Sequence, residues 1–472
     1  MPKFDTRVQE LRYRVLKEIA KHAYKGDLQE SLLDIPKTIV PGPKPSMRCC
    51  IYKERAIVDE RVSIILKAKS KGTSNVIKVI SIACDECPIG GYAVSDACRG
   101  CIAHRCSEAC PRHAISFDQN LRASIDKTKC VNCGLCARSC PYGAIENRIR
   151  PCEKACRNKA ISPDKETNAA HIDDEKCIQC GACVYMCPFG AIVDDSFILD
   201  VIDLLKNNKD VYAVVAPSIA GNFTDYKLGQ VLTGIKKLGF KDVVEAALGA
   251  DLVAINESKE LTERGVLTSS CCPSFTNYIR KNFPTLIKYI SSSLSPMATI
   301  SKAIKEEDPN AKVVFIGPCT AKKEEIRTPE VSPYVDSALT FEELQALFDA
   351  KELDIANFEE TGFVRSGSSF GRGFAKCGGL TSAVNQSLKE QEIQFDVKGV
   401  VCSGNKEIQS ALFNLKNGTS PYNFFEGMMC EGGCIGGPCN LNHAIRNKIM
   451  VDKYSSAGDH EIKTAKEKVK KQ

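Results

Sequence analysis

Two runs of the form C-x2-C-x2-C-x3-C-P show most plainly what this chain could hold: Cys130, Cys133, Cys136 and Cys140 before Pro141, and Cys177, Cys180, Cys183 and Cys187 before Pro188. Soft thiolates at that spacing suit iron–sulfur clusters, and two copies with the trailing proline argue against zinc. A second kind of site is suggested near the end of the chain, where Cys430 and Cys434 lie in the glycine-rich stretch EGMMCEGGCIGGP, Glu426 to Pro438. Glycine lets backbone approach an inorganic cluster closely and offers amide donors to its ligands. Two earlier segments, TSSCCPSF at Thr268 to Phe275 and IGPCTAKKEE at Ile316 to Glu325, add Cys271, Cys272 and Cys319.

In bacterial ferredoxins the fourth cysteine of each such run ligates the other cluster. That rule predicts one [4Fe–4S] cluster on Cys130, Cys133, Cys136 and Cys187, and another on Cys177, Cys180, Cys183 and Cys140. A fainter echo surrounds the pair, because the tail recurs four times as CSEACPRHAI, CARSCPYGAI, CEKACRNKAI and CVYMCPFGAI. The first and third copies suggest a degenerate ferredoxin-like module over 84–160, with the regular runs at 127–190 interleaved. The same swapping rule then predicts one cluster on Cys98, Cys101, Cys106 and Cys156, and one on Cys84, Cys87, Cys110 and Cys152, so one or two clusters beyond the regular pair.

The three segments around Cys272, Cys319 and Cys430/Cys434 resemble, in order and internal spacing, the signature segments of [FeFe]-hydrogenases. The resemblance covers roughly residues 130 to 440 and points to a divergent branch. It implies an H-cluster, a [4Fe–4S] cubane joined through a cysteine to a two-iron site bearing CO, CN⁻ and a dithiolate. Carried onto matching residues, Cys272, Cys319, Cys430 and Cys434 would hold the cubane, and Cys434 would bridge to the two-iron site. Lys322 matches the lysine facing one cyanide; Ala216, Pro217 and Ser218 match the segment facing the other; Met428 matches the methionine near the bridging CO. Cys271 matches the proton-relay cysteine, and Glu257, Glu260, Ser291 and Arg264 match the rest of the proton path. Departures are Phe275 where Trp is usual, Gly317 where Met is usual, and Met297 in place of Gln. The implied activity is reversible 2H⁺ + 2e⁻ ⇌ H2, with a ferredoxin-like electron carrier and dedicated maturation enzymes as partners. The rival readings are an H2 sensor, or an iron–sulfur assembly or electron-transfer protein lacking the two-iron site.

The elements that must position these residues are partly legible. Glu257, Glu260 and Arg264 lie at i, i+3 and i+7, one face of a helix. Asp210 to Pro217, Gly265 to Thr268, Lys312 to Ile316 and Val397 to Cys402 read as strands; Tyr226 to Leu238 and Phe341 to Lys351 read as helices. Such alternation predicts an α/β H-cluster domain with parallel sheets and flanking helices over 196–450. An α+β ferredoxin-like cluster region over 81–195 precedes it, with a lead over 1–80 and a charged tail over 451–472. In the lead, Arg7 to His22 and Ile57 to Lys67 read as helices and Asn75 to Ile82 as a strand. Cys49 and Cys50 read as packing residues, and Cys377, Cys402 and Cys439 as buried thiols without an assigned role, with Cys377 close enough to approach the H-cluster.

Composition sets the outer limits. Twenty-six cysteines among 472 residues, behind a charged start without an apolar secretory core, predict metal ligation in a cytoplasmic protein rather than a disulfide framework. No apolar run reaches the ~18 residues of a membrane span, and no basic run interleaved with aromatics suggests nucleic acid. The formal charge of +6 is compatible with an acidic electron carrier.

Overall fold

The computed structural model describes residues 4–470 apart from 73, 74, 86, 88, 89 and 165. Among these, no helix is long and apolar enough to cross a membrane.

Seven strands in two parallel sheets make the α/β domain. The first sheet has the order Asp242–Glu245, Val211–Val215, Lys312–Gly317, Ser337–Thr340, with Lys312 opposite Val211 and Ile316 opposite Val215. The second has the order Leu267–Thr268, Phe424–Met428, Gly399–Ser403. Buried apolar runs such as VYAVV suit strands covered on both faces. The helix Ala246–Arg264 leaves the end strand of the first sheet and leads into the second. It can sit this close to its neighbours because Gly249 has no side chain: a Cβ there would lie 2.1 Å from the Pro296 carbonyl oxygen.

The cysteine-rich region is one plan used twice. In the inner copy, Gly91–Val94 pairs antiparallel with Ile145–Arg148 and encloses the hairpin Ile115–Phe117/Ala123–Ile125. In the outer copy, Ile77–Val79 pairs with Ile192–Asp194 and encloses Ile161–Pro163/Ala170–Ile172. Matching backbone bonds recur: Ser95 N to Ala144 O (2.8 Å) and Ile80 N to Ala191 O (2.7 Å), then Asp126 N to Ala114 O and Asp173 N to Ala160 O (both 2.8 Å). The repeated CxxxC tail ends each time in a left-handed residue, His113, Gly143, Lys159 or Gly190, with φ of 47°, 60°, 51° and 63°. The inner copy is inserted whole between Cys87 and Cys152 of the outer one, which corrects the interleaved arrangement expected from the sequence.

Other expectations need amending. The strand expected over 75–82 is only Ile77–Val79, because Ile80 turns the chain into the 3-10 turn Ser81–Ala83 that delivers Cys84. Cys49 is exposed rather than packed, and Cys50 precedes the helix Ile51–Lys67. The stretch set apart as a charged tail is docked: Val451, Ile462 and Ala465 are buried, and Ile462 N donates to Glu390 at 3.0 Å. The lead is likewise part of the body, its helix Arg7–Lys25 packing on Phe341–Ala350, with Arg12 bonded to Glu342 at 2.5 Å.

Candidate functional site

Because each module closes on itself, the fourth cysteines sort within modules. In the outer copy, burial raises the Cys152 thiol to about 12, and Cys187 and Cys84 press on it; Cys87 faces the same two thiols. Cys183 is raised well above its ordinary value by burial, then by Cys180, Cys177, Cys156 and Cys152. The sets are therefore Cys84, Cys87, Cys152 and Cys187, and Cys156, Cys177, Cys180 and Cys183, the second lining one cavity. In the inner copy a cavity is lined by Cys110, Cys130, Cys133 and Cys136, and Cys106 faces Cys140 and Cys101. Cys98 takes the place that Cys84 holds outside, each thiol sulfur accepting from a strand amide, Ala123 N at 3.5 Å and Ala170 N at 3.4 Å. The expected exchanges of Cys187 with Cys110 and of Cys140 with Cys156 are thus corrected. The thiols group inside each module in the pattern that the swapping rule describes, and sequence alone does not show which tail belongs to which.

Backbone amides also point at the last cysteine of three tails: Ala114 N to Cys110 Sγ 3.4 Å, Ala160 N to Cys156 Sγ 3.1 Å, Ala191 N to Cys187 Sγ 3.3 Å. Hydrogen bonds to sulfur are one of the terms that set a cluster's potential. Among the described residues no three His, Cys, Asp or Glu side chains converge as around a single metal ion. A four-iron cube instead distributes its thiolates over its corners.

The second site lies where carboxyl ends of parallel strands meet, the ordinary place for ligand sites in α/β sheets. Ala216, Pro217 and Ser218 follow Val211–Val215, Cys319 follows Lys312–Gly317, Cys271 and Cys272 follow Leu267–Thr268, and Cys430 follows Phe424–Met428. The structure brings the four expected cysteines together. Burial raises Cys319 to about 12, with Cys272 beside it. Cys434 is also raised to about 12, by burial and then by Cys319 and Cys272, and Cys430 faces the same pair. Thiols so costly to ionise lose their protons readily only to a metal. Ser218 is buried and its Oγ has no hydrogen-bond partner, a free donor at the segment matched to a cyanide. Lys322 donates to Glu325 at 2.6 Å and to the Cys271 carbonyl at 3.4 Å. Burial alone would lower this lysine, but Glu325 and the neighbouring thiols raise it overall, so it stays charged. Met428 is buried. The donor set and the unsatisfied hydroxyl fit a bound cluster with anionic ligands.

A polar chain leads from this site to the surface. Glu257 is fully buried and raised to about 7, chiefly by burial, with Glu260 adding to the shift and Ser270 and Ser291 opposing it. Its Oε1 accepts from Ser270 N and Ser270 Oγ, both 3.2 Å, while Oε2 has no partner. Ser291 Oγ donates to Glu260 at 2.9 Å, and Glu260 pairs with the partly exposed Arg264. Inward, Cys271 is buried and its thiol is raised by burial first and Glu257 second.

Some contributors were not singled out from sequence. Ser270 holds Glu257. Glu426, buried in the strand FFEGM, accepts from Gly378 N (2.7 Å), Thr381 N (2.8 Å) and Thr381 Oγ1 (2.7 Å), and it faces Cys271 and Cys377. An acid in an otherwise apolar strand was the available signal. Cys377 does approach the four-cysteine site, since it acts on Cys434. The substitution at Gly317 is filled from within the chain: a Cβ there would lie 2.6 Å from the Phe315 ring. The Phe275 ring similarly occupies the space over Gly427, 2.3 Å from a Cβ built there.

Residues 209–438 match the C-terminal domain of the iron only hydrogenase large subunit. Residues 97–144 match a 4Fe-4S dicluster domain and 170–193 a 4Fe-4S binding domain. The chain is 26% identical to iron hydrogenase 1 of Clostridium pasteurianum over 71% of its own length and 68% of that protein. It is 29% identical to the periplasmic [Fe] hydrogenase large subunit of Nitratidesulfovibrio vulgaris, over 66% and 85%. It is also 33% identical to the cytosolic Fe-S cluster assembly factor NAR1 of Eremothecium gossypii, over 28% of this chain and 31% of that one. A solved [FeFe]-hydrogenase from Chlamydomonas reinhardtii aligns over 55% of this chain and 88% of its own, at 20% identity and a TM-score of 0.45.

Proposed function

Because residues 209–438 belong to the iron only hydrogenase large subunit family and the cysteine-rich region ahead of them carries 4Fe-4S domains, we propose that this protein catalyses 2H⁺ + 2e⁻ ⇌ H2. Cys272, Cys319, Cys430 and Cys434 would hold a cubane, and Cys434 would also serve a two-iron site. Lys322 and Ser218 would bind its anionic ligands, and Ala216, Pro217 and Met428 would line its surroundings. When bound, that group supplies the open iron position at which hydrogen is made or split.

The observation that carries the reading is the chain Arg264, Glu260, Ser291, Glu257, Cys271, which links the surface to the site through groups within reach of one another. A scaffold for cubane clusters has no use for it. Arg264 holds Glu260 at the outer end. Ser291 passes a proton between the two carboxyls, and Glu257, with its unpartnered Oε2 and a value near neutrality, both accepts and releases protons easily at ordinary pH. The Cys271 thiol, kept protonated by its burial, holds a proton at the inner end of the chain and would exchange it with Glu257. Glu257→Gln and Cys271→Ala are each expected to lower turnover by roughly 10²–10⁴ while cluster spectra stay intact. Wild-type rates in either variant would refute the relay.

Clusters held by the inner and then the outer module would supply an electron route that ends beside Cys430. Ile102 and Val131, in the loops between inner cysteines, are exposed and offer a carrier a place to dock. A small acidic ferredoxin suits the basic chain. Maturation enzymes supply the two-iron site, and the 26 free cysteines suit the reducing cytoplasm. The stretch shared with NAR1 favours a second reading, an assembly protein that keeps cubanes alone; that protein would lack CO and CN⁻ ligands.

A further inference from the structure

The cysteine tail is followed by proline in three of its four copies, Pro111, Pro141 and Pro188, but by Arg157 in the third. The exception falls at a particular point of the fold. Arg157 lines the cavity bounded by Cys156, Cys177, Cys180 and Cys183. Its guanidinium lies close enough to act on Cys180 of this set and on Cys430 of the four-cysteine site. One of its nitrogens, Nη1, is buried without a hydrogen-bond partner.

The segments that carry the two cysteine sets are in direct contact here. Thr320, beside Cys319, donates from Oγ1 to the Gln179 carbonyl at 2.8 Å. Gly181 is pressed so closely that a Cβ would lie 2.5 Å from Thr320 Oγ1 and 2.7 Å from Pro438. Proline in place of Arg157 would remove the guanidinium from this cavity, leaving the Lys281 ammonium, which donates to the Cys177 carbonyl at 2.8 Å.

We propose that Arg157 is an electrostatic partner of the last electron step, stabilising an added electron on both sides of the junction. The step is a single transfer: the cluster on Cys156, Cys177, Cys180 and Cys183 loses one electron and the cubane gains it. No proton accompanies it, because a guanidinium is not deprotonated in proteins. A fixed positive charge shared by two anionic groups lowers the cost of reducing each, so both stay populated in their reduced forms. This rests on the cluster assignment above but not on hydrogen turnover.

The test is a redox titration of the full-length, cluster-loaded protein followed by electron paramagnetic resonance, for wild type, Arg157→Gln and Arg157→Lys. The glutamine variant should reduce both junction clusters less readily, by about tenfold at a given potential, which is about 59 mV for one electron. The lysine variant should recover most of that shift, and the inner-module signals should not move. Unchanged junction potentials with full iron content would overturn the proposal, as would an equal shift of every cluster or a lysine variant no better than glutamine. Absence of any signal from the junction clusters in wild type would instead remove the cluster assignment, and the proposal with it.

Discussion

Val131 and Ile178 hold the same place in two copies of one module, just after the first cysteine of a run, yet Val131 is 59% exposed and Ile178 is 2% exposed. The glycine three residues further on repeats the contrast. Gly134 lies against Tyr92 of its own module, whereas Gly181 lies against Thr320 and Pro438 of the α/β domain. The local chemistry is alike in both copies, down to the amide bonds on sulfur. What differs is what covers the apolar tip. Ile178 is packed with Phe275, Tyr278 and Ile279, while the inner tip is left open. Two copies of one plan thus differ in setting, one turned outward and one joined to the four-cysteine site.

The largest expected effect sets the two copies directly against each other. Cys180→Ala, at the junction, should nearly abolish hydrogen evolution driven by a reduced carrier. Cys133→Ala, in the exposed copy, should lower carrier-driven evolution and spare evolution driven by a small reduced dye. Equal losses with both donors in both variants would break the proposed order. A second variant joins Gly90 to Ile149 through a short linker, removing the inner module entire. It should fold and lose about eight irons, because the strand pair Ile77–Val79/Ile192–Asp194 closes the outer module without it. Loss of all module iron would mean that cysteines are exchanged between the copies after all.

Stability should divide along the same line. Arg12 reaches from the lead to Glu342, both buried, and Arg61 donates to the Gly190 carbonyl at 2.7 Å, at the turn after Cys187. Arg12→Ala leaves a buried carboxylate unpaired and should cost about 3–5 kcal/mol in urea unfolding, with the inner module's own transition unmoved. The smallest effect is a pH dependence confined to the catalytic helix. Glu257 is raised from 4.5 to about 7 in the folded protein, so the folded state holds that proton more tightly than the unfolded chain. Its contribution to stability is full at low pH and is lost as pH rises through about 7. Turnover should show an inflection in the same region, and Glu257→Gln should remove both, as read from unfolding curves and rate profiles across neutral pH.

Much of this could be read from residue types and spacing. The buried strand VYAVV and the relay face of Ala246–Arg264 appear where hydrophobic and charged periodicity placed them, because local pattern and tertiary burial agree there. The four cysteines of the second site were legible through the resemblance of their three segments to a known family's signature. The partition of the module cysteines was not: all four tails carry the same pattern, and only the long-range strand pairings decide which tail closes on which. Nor could spacing show that the Phe315 ring occupies the room left by Gly317, since the rotamer that turns the ring over its neighbour on the same strand face is set by tertiary packing. Residues 451–470 read as a tail from their charge, yet a few apolar contacts, Val451, Ile462 and Ala465, suffice to dock them.

The most direct test of the central claim is an infrared spectrum of the anaerobically matured protein in the region of metal-bound CO and CN⁻, taken together with hydrogen evolution from a reduced dye. The account predicts bands from both ligands and evolution of H2. Full maturation with cubane clusters present but no CO or CN⁻ bands would contradict it, and would leave a hydrogenase fold that serves cubane clusters alone.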